Sequence, residues 1–108
     1  MRDPEIPPPL EMICLSALWH LEEGNVEEIR RNARSERPLA YTTVLTLLER
    51  LSRRGAVTRR KDGRGYRYRP VVERESVQAR AVGHFVGCYF DGSAEKLRRF
   101  LALAVHST

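Results

Sequence analysis

Residues 41–70 read YTTVLTLLERLSRRGAVTRRKDGRGYRYRP, and the spacing of apolar residues changes within this stretch. In its first half, apolar residues recur at intervals of three and four, at Val44, Leu47, Leu48 and Leu51. This spacing predicts a helix from about Tyr41 to Arg54 with one buried face. Gly55 stands where a residue in the left-handed conformation would end that helix.

The second half of the stretch predicts a β-hairpin. Two short strand-like runs, residues 56–61 and 66–69, flank the turn sequence Asp62-Gly63-Arg64-Gly65. Its two glycines can adopt the positive φ that hairpin turns require. In the second run tyrosines alternate with arginines, so we expect rings on one face and guanidinium groups on the other.

Two further helices are predicted before this stretch. A first helix that ends near Glu23 and Gly24 is indicated by apolar residues at helical spacing: Leu10, Ile13, Cys14, Ala17, Leu18 and Leu21. Asn25 followed by Glu28 has the spacing of a capping box, and it predicts a short second helix that stops before Pro38. Three short helices followed by a hairpin are the order of a winged helix-turn-helix.

The residues after Pro70 predict two more helices, one from Glu73 to Phe90 and a short one after a break at residues 91–93. The apolar stripe of the longer helix is wider than one contact surface requires. Because a head of about 60 residues is marginal alone, we expect these helices to form a homodimer interface. The expected interface residues are Val77, Ala81, Phe85, Val86, Tyr89, Leu97, Phe100 and Leu101.

The predicted fold is mainly α with a small β-hairpin. We expect a Pro-rich tail at residues 1–9, a winged-helix DNA-binding domain at 10–70 and a helical dimerisation region at 71–108. With 108 residues, 42% apolar, the chain is too apolar for disorder and short for an enzyme built around a deep cleft. No apolar run has the length of a membrane span and no charged-then-apolar leader opens the sequence, so we expect a cytoplasmic protein.

No pattern in the sequence points to catalysis, a metal or a cofactor. His20, His84 and His106 lack metal-ligand spacing, and no Cys-x-x-Cys, nucleophile elbow, phosphate loop or dinucleotide fingerprint occurs. Cys14 is expected to be a small buried hydrophobe, whereas Cys88 could be semi-exposed. We therefore expect neither enzyme activity nor a bound metal or cofactor.

Positive charge is concentrated between Glu49 and Arg69. The chain carries +5 overall, but this segment has nine basic residues against two acidic ones, hence +7, and the rest carries −2. Such segregation indicates a polyanionic partner, although a solvated basic surface would have the same charge.

The third predicted helix turns hydroxyl and guanidinium groups outward. Thr42, Thr46 and Arg53 fall near its outward pole, with Glu49 and Arg50 at the flanks. Threonine can contact a thymine methyl or a base edge, and arginine can bind guanine or phosphate in a major groove. For Glu49, an ion pair with Arg53 is favoured over a contact with cytosine.

The hairpin is expected to contact the DNA backbone or minor groove through its basic side chains. The predicted wing contacts are Arg59, Arg60, Lys61, Arg64 and Arg67. For Tyr66 and Tyr68, packing of the wing against the core is favoured over base stacking.

These features together resemble the penicillinase-repressor (BlaI/MecI/CopY) family of winged-helix repressors. The similar stretches are Leu10-Glu11-Met12-Ile13 with Leu18-Trp19, residues 43–51 (TVLTLLERL), and Lys61-Asp62-Gly63-Arg64 running to Tyr68-Arg69-Pro70. The resemblance implies a homodimer on a palindromic operator, with the helices after Pro70 as the dimer interface. It also implies wing basic residues on the backbone and, in the recognition helix, Thr42, Thr43, Thr46 and Arg50.

The chain also differs from the family pattern. Some members carry a basic residue in place of Leu45, and relatives continue with a further helix after residues 101–104. Copper-responsive members have a C-terminal cysteine motif that is absent here, which disfavours metal sensing. Members linked to β-lactam sensing are cleaved in their C-terminal region, which implies a membrane sensor-protease as a partner, but Phe100-Leu101 shows no matching cleavage site.

The leading hypothesis is a sequence-specific transcriptional repressor that binds double-stranded DNA as a homodimer. The alternative is a winged-helix module that binds an acidic protein and no DNA, and an enzyme ranks last. Binding to random duplex at rising salt distinguishes the first two, because contacts to phosphate weaken steeply with salt.

Overall fold

The computed structural model describes residues 5–35 and 38–106, with side chains described up to Ala104. In chain order, the elements are α1 (Pro9–Leu21), α2 (Val26–Asn32), α3 (Tyr41–Arg53), β1 (Val57–Asp62), β2 (Gly65–Pro70), α4 (Arg74–Tyr89) and α5 (Ala94–His106). This order confirms the predicted winged helix-turn-helix with two helices appended. Of the predicted tail, residues 1–4 lie outside the described residues and Pro9 already belongs to α1.

Local hydrogen bonds set the start of α2 and the end of α3. Asn25 Oδ1 accepts from the Glu28 N–H at 2.8 Å, and Glu28 Oε1 accepts from the Asn25 N–H at 3.1 Å, which confirms the capping box. After α3, Gly55 has a φ of +77° and the Ala56 N–H donates to the Leu51 carbonyl at 3.0 Å. This Schellman arrangement ends the helix and directs the chain into β1.

The core lies between the first three helices and one face of the hairpin. Its largest fully buried side chains are Cys14, Leu15, Leu18, Ile29, Val44, Leu48, Leu51 and Tyr68. The inner face of α3 is as predicted, but that of α1 is rotated, since Leu10 is 48% exposed whereas Leu15 is fully buried. The rotation turns Glu11 inward, where it meets Arg54 at the end of α3.

The hairpin is attached to the helices through its second strand. The two strands pair antiparallel, with Arg59 opposite Tyr68 and Lys61 opposite Tyr66. Tyr68 exchanges two backbone hydrogen bonds with Gly24, of 2.8 and 3.0 Å, and its ring is buried in the core. Packing of the wing against the core is thus confirmed for Tyr68, while Tyr66 is more exposed.

Helices α4 and α5 form an extension beyond the head. The Trp19 indole N–H donates to the Val72 carbonyl at 2.9 Å and fixes the chain just before α4. Between the two helices, the Phe90 ring lies 5.4 Å from that of Phe85 and 5.5 Å from that of Phe100. Of the helices in the described residues, none is long and apolar enough to cross a membrane.

Candidate nucleic-acid interface

The outward side of α3 presents hydroxyl and guanidinium groups to solvent. The exposed residues include Thr42, Thr46, Arg50 and Arg53, and Thr43 is half-buried. The Thr46 hydroxyl donates to the Thr42 carbonyl at 3.0 Å. Its proton is therefore engaged within the helix, while its methyl group and remaining lone pairs are available to a ligand.

Glu49 does not form the ion pair expected from its spacing to Arg53. In the part of the chain that the structure describes, neither residue has a charged partner within ion-pair distance. Glu49 instead lines a groove between α3 and the wing, to whose lining Arg53 does not contribute. The guanidinium groups of Arg50 and Arg53 thus carry charge that no described carboxylate neutralises.

Glu23, in the turn after α1, pairs with the basic residues of one wing face. Its Oε1 lies 3.0 Å from Arg67 Nε and 3.3 Å from Arg60 Nη2, and Arg67 Nη1 lies 3.1 Å from Glu28 Oε1. Hydrogen bonds from Arg67 and Arg60 lower the pKa of Glu23. Two of the predicted wing contacts, Arg60 and Arg67, are therefore already paired within the chain.

The opposite wing face and the wing tip keep basic groups without a carboxylate. The guanidinium carbon of Arg59 lies 4.3 Å from the centroid of the Tyr66 ring, within cation–π distance. Lys61 and Arg64 are exposed, and neither makes an ion pair with any described residue. Of the predicted wing contacts, Arg59, Lys61 and Arg64 are therefore the ones with charge available to a polyanion.

A groove of about 400 Å³ lies between α3 and the wing. Its walls include Tyr41 and Glu49 from α3, Arg59, Asp62 and Arg64 from the wing, and Glu27 from α2. Inside it, the Tyr68 hydroxyl is buried without a hydrogen-bond partner among the described residues, and burial raises the pKa of Tyr68. Because the helix and the wing border one groove, a single extended ligand can contact both.

Arg54, unlike its neighbours, turns back to the head. Its Nε lies 2.7 Å from Glu11 Oε1 and its Nη1 lies 3.0 Å from Glu5 Oε2. These hydrogen bonds, the one to Glu11 foremost, raise the pKa of Arg54. Sequence reasoning missed Glu11 as a residue that positions α3, although a carboxylate beside Leu10 in an apolar series was a visible signal.

The predicted dimer-interface residues fall into two sets in the structure. Four are exposed, namely Phe85, Tyr89, Phe100 and Leu101. The other four are covered within the protomer: Val77 and Val86 are buried, and Ala81 and Leu97 are half-buried. Leu103 and Val82 are also exposed and were not predicted.

The cysteine and histidine side chains of the described residues do not assemble a metal centre, since no group of three or more potential ligands occurs there. Cys14 is buried as predicted, and burial raises the pKa of its thiol to about 11. Cys88 is exposed, with its Sγ 3.6 Å from His84 Nε2 on the same helix.

Known proteins match this chain both in sequence and in fold. The family model described as penicillinase repressor matches residues 8–105. The transcriptional regulator BlaI of Mycobacterium tuberculosis (strain CDC 1551 / Oshkosh) is 32% identical over 111 residues, covering 86% of this chain and 80% of the relative.

Two solved structures share the fold. The solution structure of the DNA-binding domain of the repressor BlaI has a TM-score of 0.58 and 23% identity, and it covers 69% of this chain and 90% of that one. The monomeric form of Bacillus licheniformis BlaI, solved in complex with the blaP half-operator, has a TM-score of 0.53 and 24% identity. It covers 67% of this chain and 90% of that chain.

Proposed function

This chain belongs to the penicillinase repressor family, a family of repressors rather than of enzymes, and we propose that it represses transcription as a homodimer bound to a palindromic operator. The observation that carries the proposal is the set of unpaired basic groups on one side of the head. Arg50 and Arg53 on α3 and Arg64 on the wing are exposed without an ion pair to any described residue, α3 also exposes Thr42 and Thr46, and the helix and the wing border one groove.

In the proposed complex α3 lies in the major groove. Thr42, Thr43 and Thr46 supply methyl groups to thymine and oxygen atoms to base edges or phosphates. Arg50 and Arg53 bind guanine bidentately or neutralise phosphate, and the absence of described ion-pair partners leaves them free to do so.

The wing is proposed to contact the DNA backbone through Arg59, Lys61 and Arg64. Arg60 and Arg67 were predicted to join them, but they would first have to leave Glu23 and Glu28. We therefore propose that these two arginines position the wing and that the other three contact phosphates.

The proposed dimer forms through the exposed aromatic and aliphatic side chains of α4 and α5. Contiguous exposed apolar surface of this kind is a mark of an interaction site, and a two-fold axis lets one patch cover itself. Two heads related by such an axis would bind half-sites about one helical turn, or a multiple of it, apart. We therefore propose that the operator is palindromic. We also propose that the DNA-binding domain ends at Pro70 and that the protein acts in the cytoplasm. A membrane sensor-protease as a partner rests on the family resemblance alone.

Replacement of Arg50 by alanine tests the proposed reading of bases. If Arg50 binds guanine, Arg50→Ala weakens binding to a duplex selected from random sequence by about 1–3 kcal/mol and relaxes the preference at one position. Arg64→Ala, at a phosphate contact, weakens all sequences alike and lowers the salt slope by about 1. Arg80→Ala, exposed on α4, is the matched control.

Footprinting and binding selections at several salt concentrations provide the readout. If the Arg50→Ala variant binds duplex with the affinity and the sequence preference of the parent, Arg50 is not one of the residues that contact bases. Absence of duplex binding, or binding that does not change with salt, contradicts the proposed function and favours a module for an acidic protein.

A further inference from the structure

A pocket of about 650 Å³ opens on the head, between α1, the end of α2 and the start of α4. This volume lies within the range of sites for small organic molecules. The pocket is separate from the groove beside the wing, with which it has no lining residue in common. It belongs to none of the contacts proposed above for DNA or for a second protomer.

The lining of this pocket combines an apolar base with a cationic mouth. Its apolar side chains are buried or half-buried: Met12, Ile13, Ala17 and Ala33. Its basic side chains are exposed: His20, Arg31, Arg34 and Arg74. A bound molecule would therefore meet apolar surface at depth and guanidinium groups at the opening.

The positive charge of this pocket is weakly compensated by the described residues. Arg34 and Arg74 have no ion pair with any described residue, and no described Asp or Glu lines the pocket. Among the described residues, the one ion pair of a lining residue is between Arg31 and Glu27, at 3.4 Å, and Glu27 pairs more closely with Arg30, at 2.5 Å. Guanidinium groups without a close carboxylate partner can bind the carboxylate or phosphate oxygens of a ligand, often bidentately.

We propose that this pocket binds an organic anion with an apolar body about the size of one or two rings. The apolar body packs against the Met12 and Ile13 side of the pocket, and the anionic group is held by Arg34 and Arg74. A carboxylate and a phosphate share this chemistry, and the experiment below distinguishes them.

The position of the pocket links it to the geometry of the proposed repressor. Arg74 is the first residue of α4, and its guanidinium carbon lies 5.6 Å from the centroid of the Trp19 ring. Trp19 in turn holds Val72 by its indole hydrogen bond. An anion that draws Arg74 toward Arg34 acts on the joint between the head and α4, so we infer, resting on the proposed function, that its binding changes operator affinity.

Calorimetry with the full chain, in the absence of DNA, tests the pocket directly. The probes are naphthalene-2-carboxylate, 2-naphthyl phosphate and the neutral naphthalene-2-carboxamide. We expect saturable binding of one molecule per chain for at least one anion, and at least about tenfold weaker binding of the carboxamide, because charge-assisted hydrogen bonds are lost. The ratio between the two anions identifies the preferred headgroup.

Three variants locate the binding site. Arg34→Met and Arg74→Met should each weaken anion binding about tenfold, while Arg80→Met, exposed on α4 outside the pocket, should bind like the parent. Four outcomes would each overturn the proposal. The carboxamide binds as tightly as the anions, or the two pocket variants bind the anion like the parent. Alternatively, all three variants lose the same affinity, or no probe gives a saturable heat of binding.

Operator affinity, measured with and without saturating probe, tests the regulatory part. We expect a change of at least about fivefold, which Arg74→Met abolishes. Anion binding that leaves operator affinity unchanged overturns the regulatory part alone. If the chain binds the anion but no duplex, the proposed function is contradicted and the anion site is not. If the chain binds duplex but no anion, the anion site is contradicted and the proposed function is not.

Discussion

Glu11 and Arg54 are 43 residues apart in the chain, and the fold brings their side chains to 2.7 Å. Glu11 is 2% exposed, so its carboxylate has little access to water and depends on Arg54 for compensation. Arg54 follows the last turn of α3. This pair therefore fixes the C-terminal end of the helix that carries the proposed base contacts.

Removing Arg54 should be more damaging than removing its exposed neighbour. We expect Arg54→Met to lower the Tm by roughly 5–10 °C, because Glu11 is left buried without a partner, and Arg53→Met to change it little. The double variant Glu11→Leu with Arg54→Met should recover most of the loss, since apolar residues of similar volume can replace a buried ion pair. A double variant as unstable as Arg54→Met alone would contradict this account.

Glu22 ends α1 in a backbone conformation that favours glycine. Its φ is +73° and its N–H donates to the Leu18 carbonyl at 2.7 Å. We expect Glu22→Gly to raise the free energy of unfolding by about 1 kcal/mol, because a Cβ at positive φ is strained. Urea unfolding measures the gain, and Glu22→Ala, which retains the Cβ, should show none.

The wing was predictable from the sequence, but its attachment to the helices was not. The alternation of tyrosine and arginine and the glycines of the turn are local signals, and they predict the hairpin and the side chains on each of its faces. Glu23 pairs with Arg60 and Arg67, which are 37 and 44 residues away, only because of the angle at which the hairpin docks. The rotation of α1 that exposes Leu10 depends in the same way on a distant partner.

Glu23 should make the stability of the wing dependent on pH. Its pKa in the folded chain is lowered from the ordinary 4.5. Since the depressed pKa belongs to the folded state, the stabilisation is complete above the ordinary value and is lost as pH falls through the lower one. Glu23→Gln should therefore lower the Tm at neutral pH, and the difference from the parent should shrink as the pH falls below the ordinary pKa and through the lowered one. Glu73→Gln, exposed before α4, is the control.

The same substitution should strengthen binding to DNA of arbitrary sequence. Without Glu23, Arg60 loses its carboxylate partner and Arg67 keeps chiefly Glu28, so more guanidinium groups can reach phosphates. We expect the salt slope on random duplex to steepen by about 1–2. A slope equal to that of the parent would mean that the paired face of the wing points away from the duplex.

The extension formed by α4 and α5 presents more apolar surface than the protomer covers. The chain measures 52 × 36 × 19 Å along its principal axes, and the exposed rings of α4 and α5 lie outside the core of the head. The sequence indicated this excess through the wide stripe of the long helix. It did not separate Val77 and Val86, which are covered within the protomer, from Phe85 and Tyr89, which are not.

Replacement of Phe85 by a charged residue should separate the proposed dimer. We expect Phe85→Glu to sediment as a monomer and to lose operator affinity, because a carboxylate would be buried without a partner between two copies. Gln78→Glu, on an exposed position of the same helix, adds the same charge and should remain dimeric. A dimeric Phe85→Glu variant would show that another face of the extension is used.

The carboxylate of Glu23 and the backbone bridge between Gly24 and Tyr68 anchor the hairpin to the helices in the chain without ligand. Its conformational entropy is therefore lost on folding, not on association. Binding should then be closer to the docking of two preformed shapes than to coupled folding, and differences in residence time among related duplexes should come from base contacts and not from reordering of the wing.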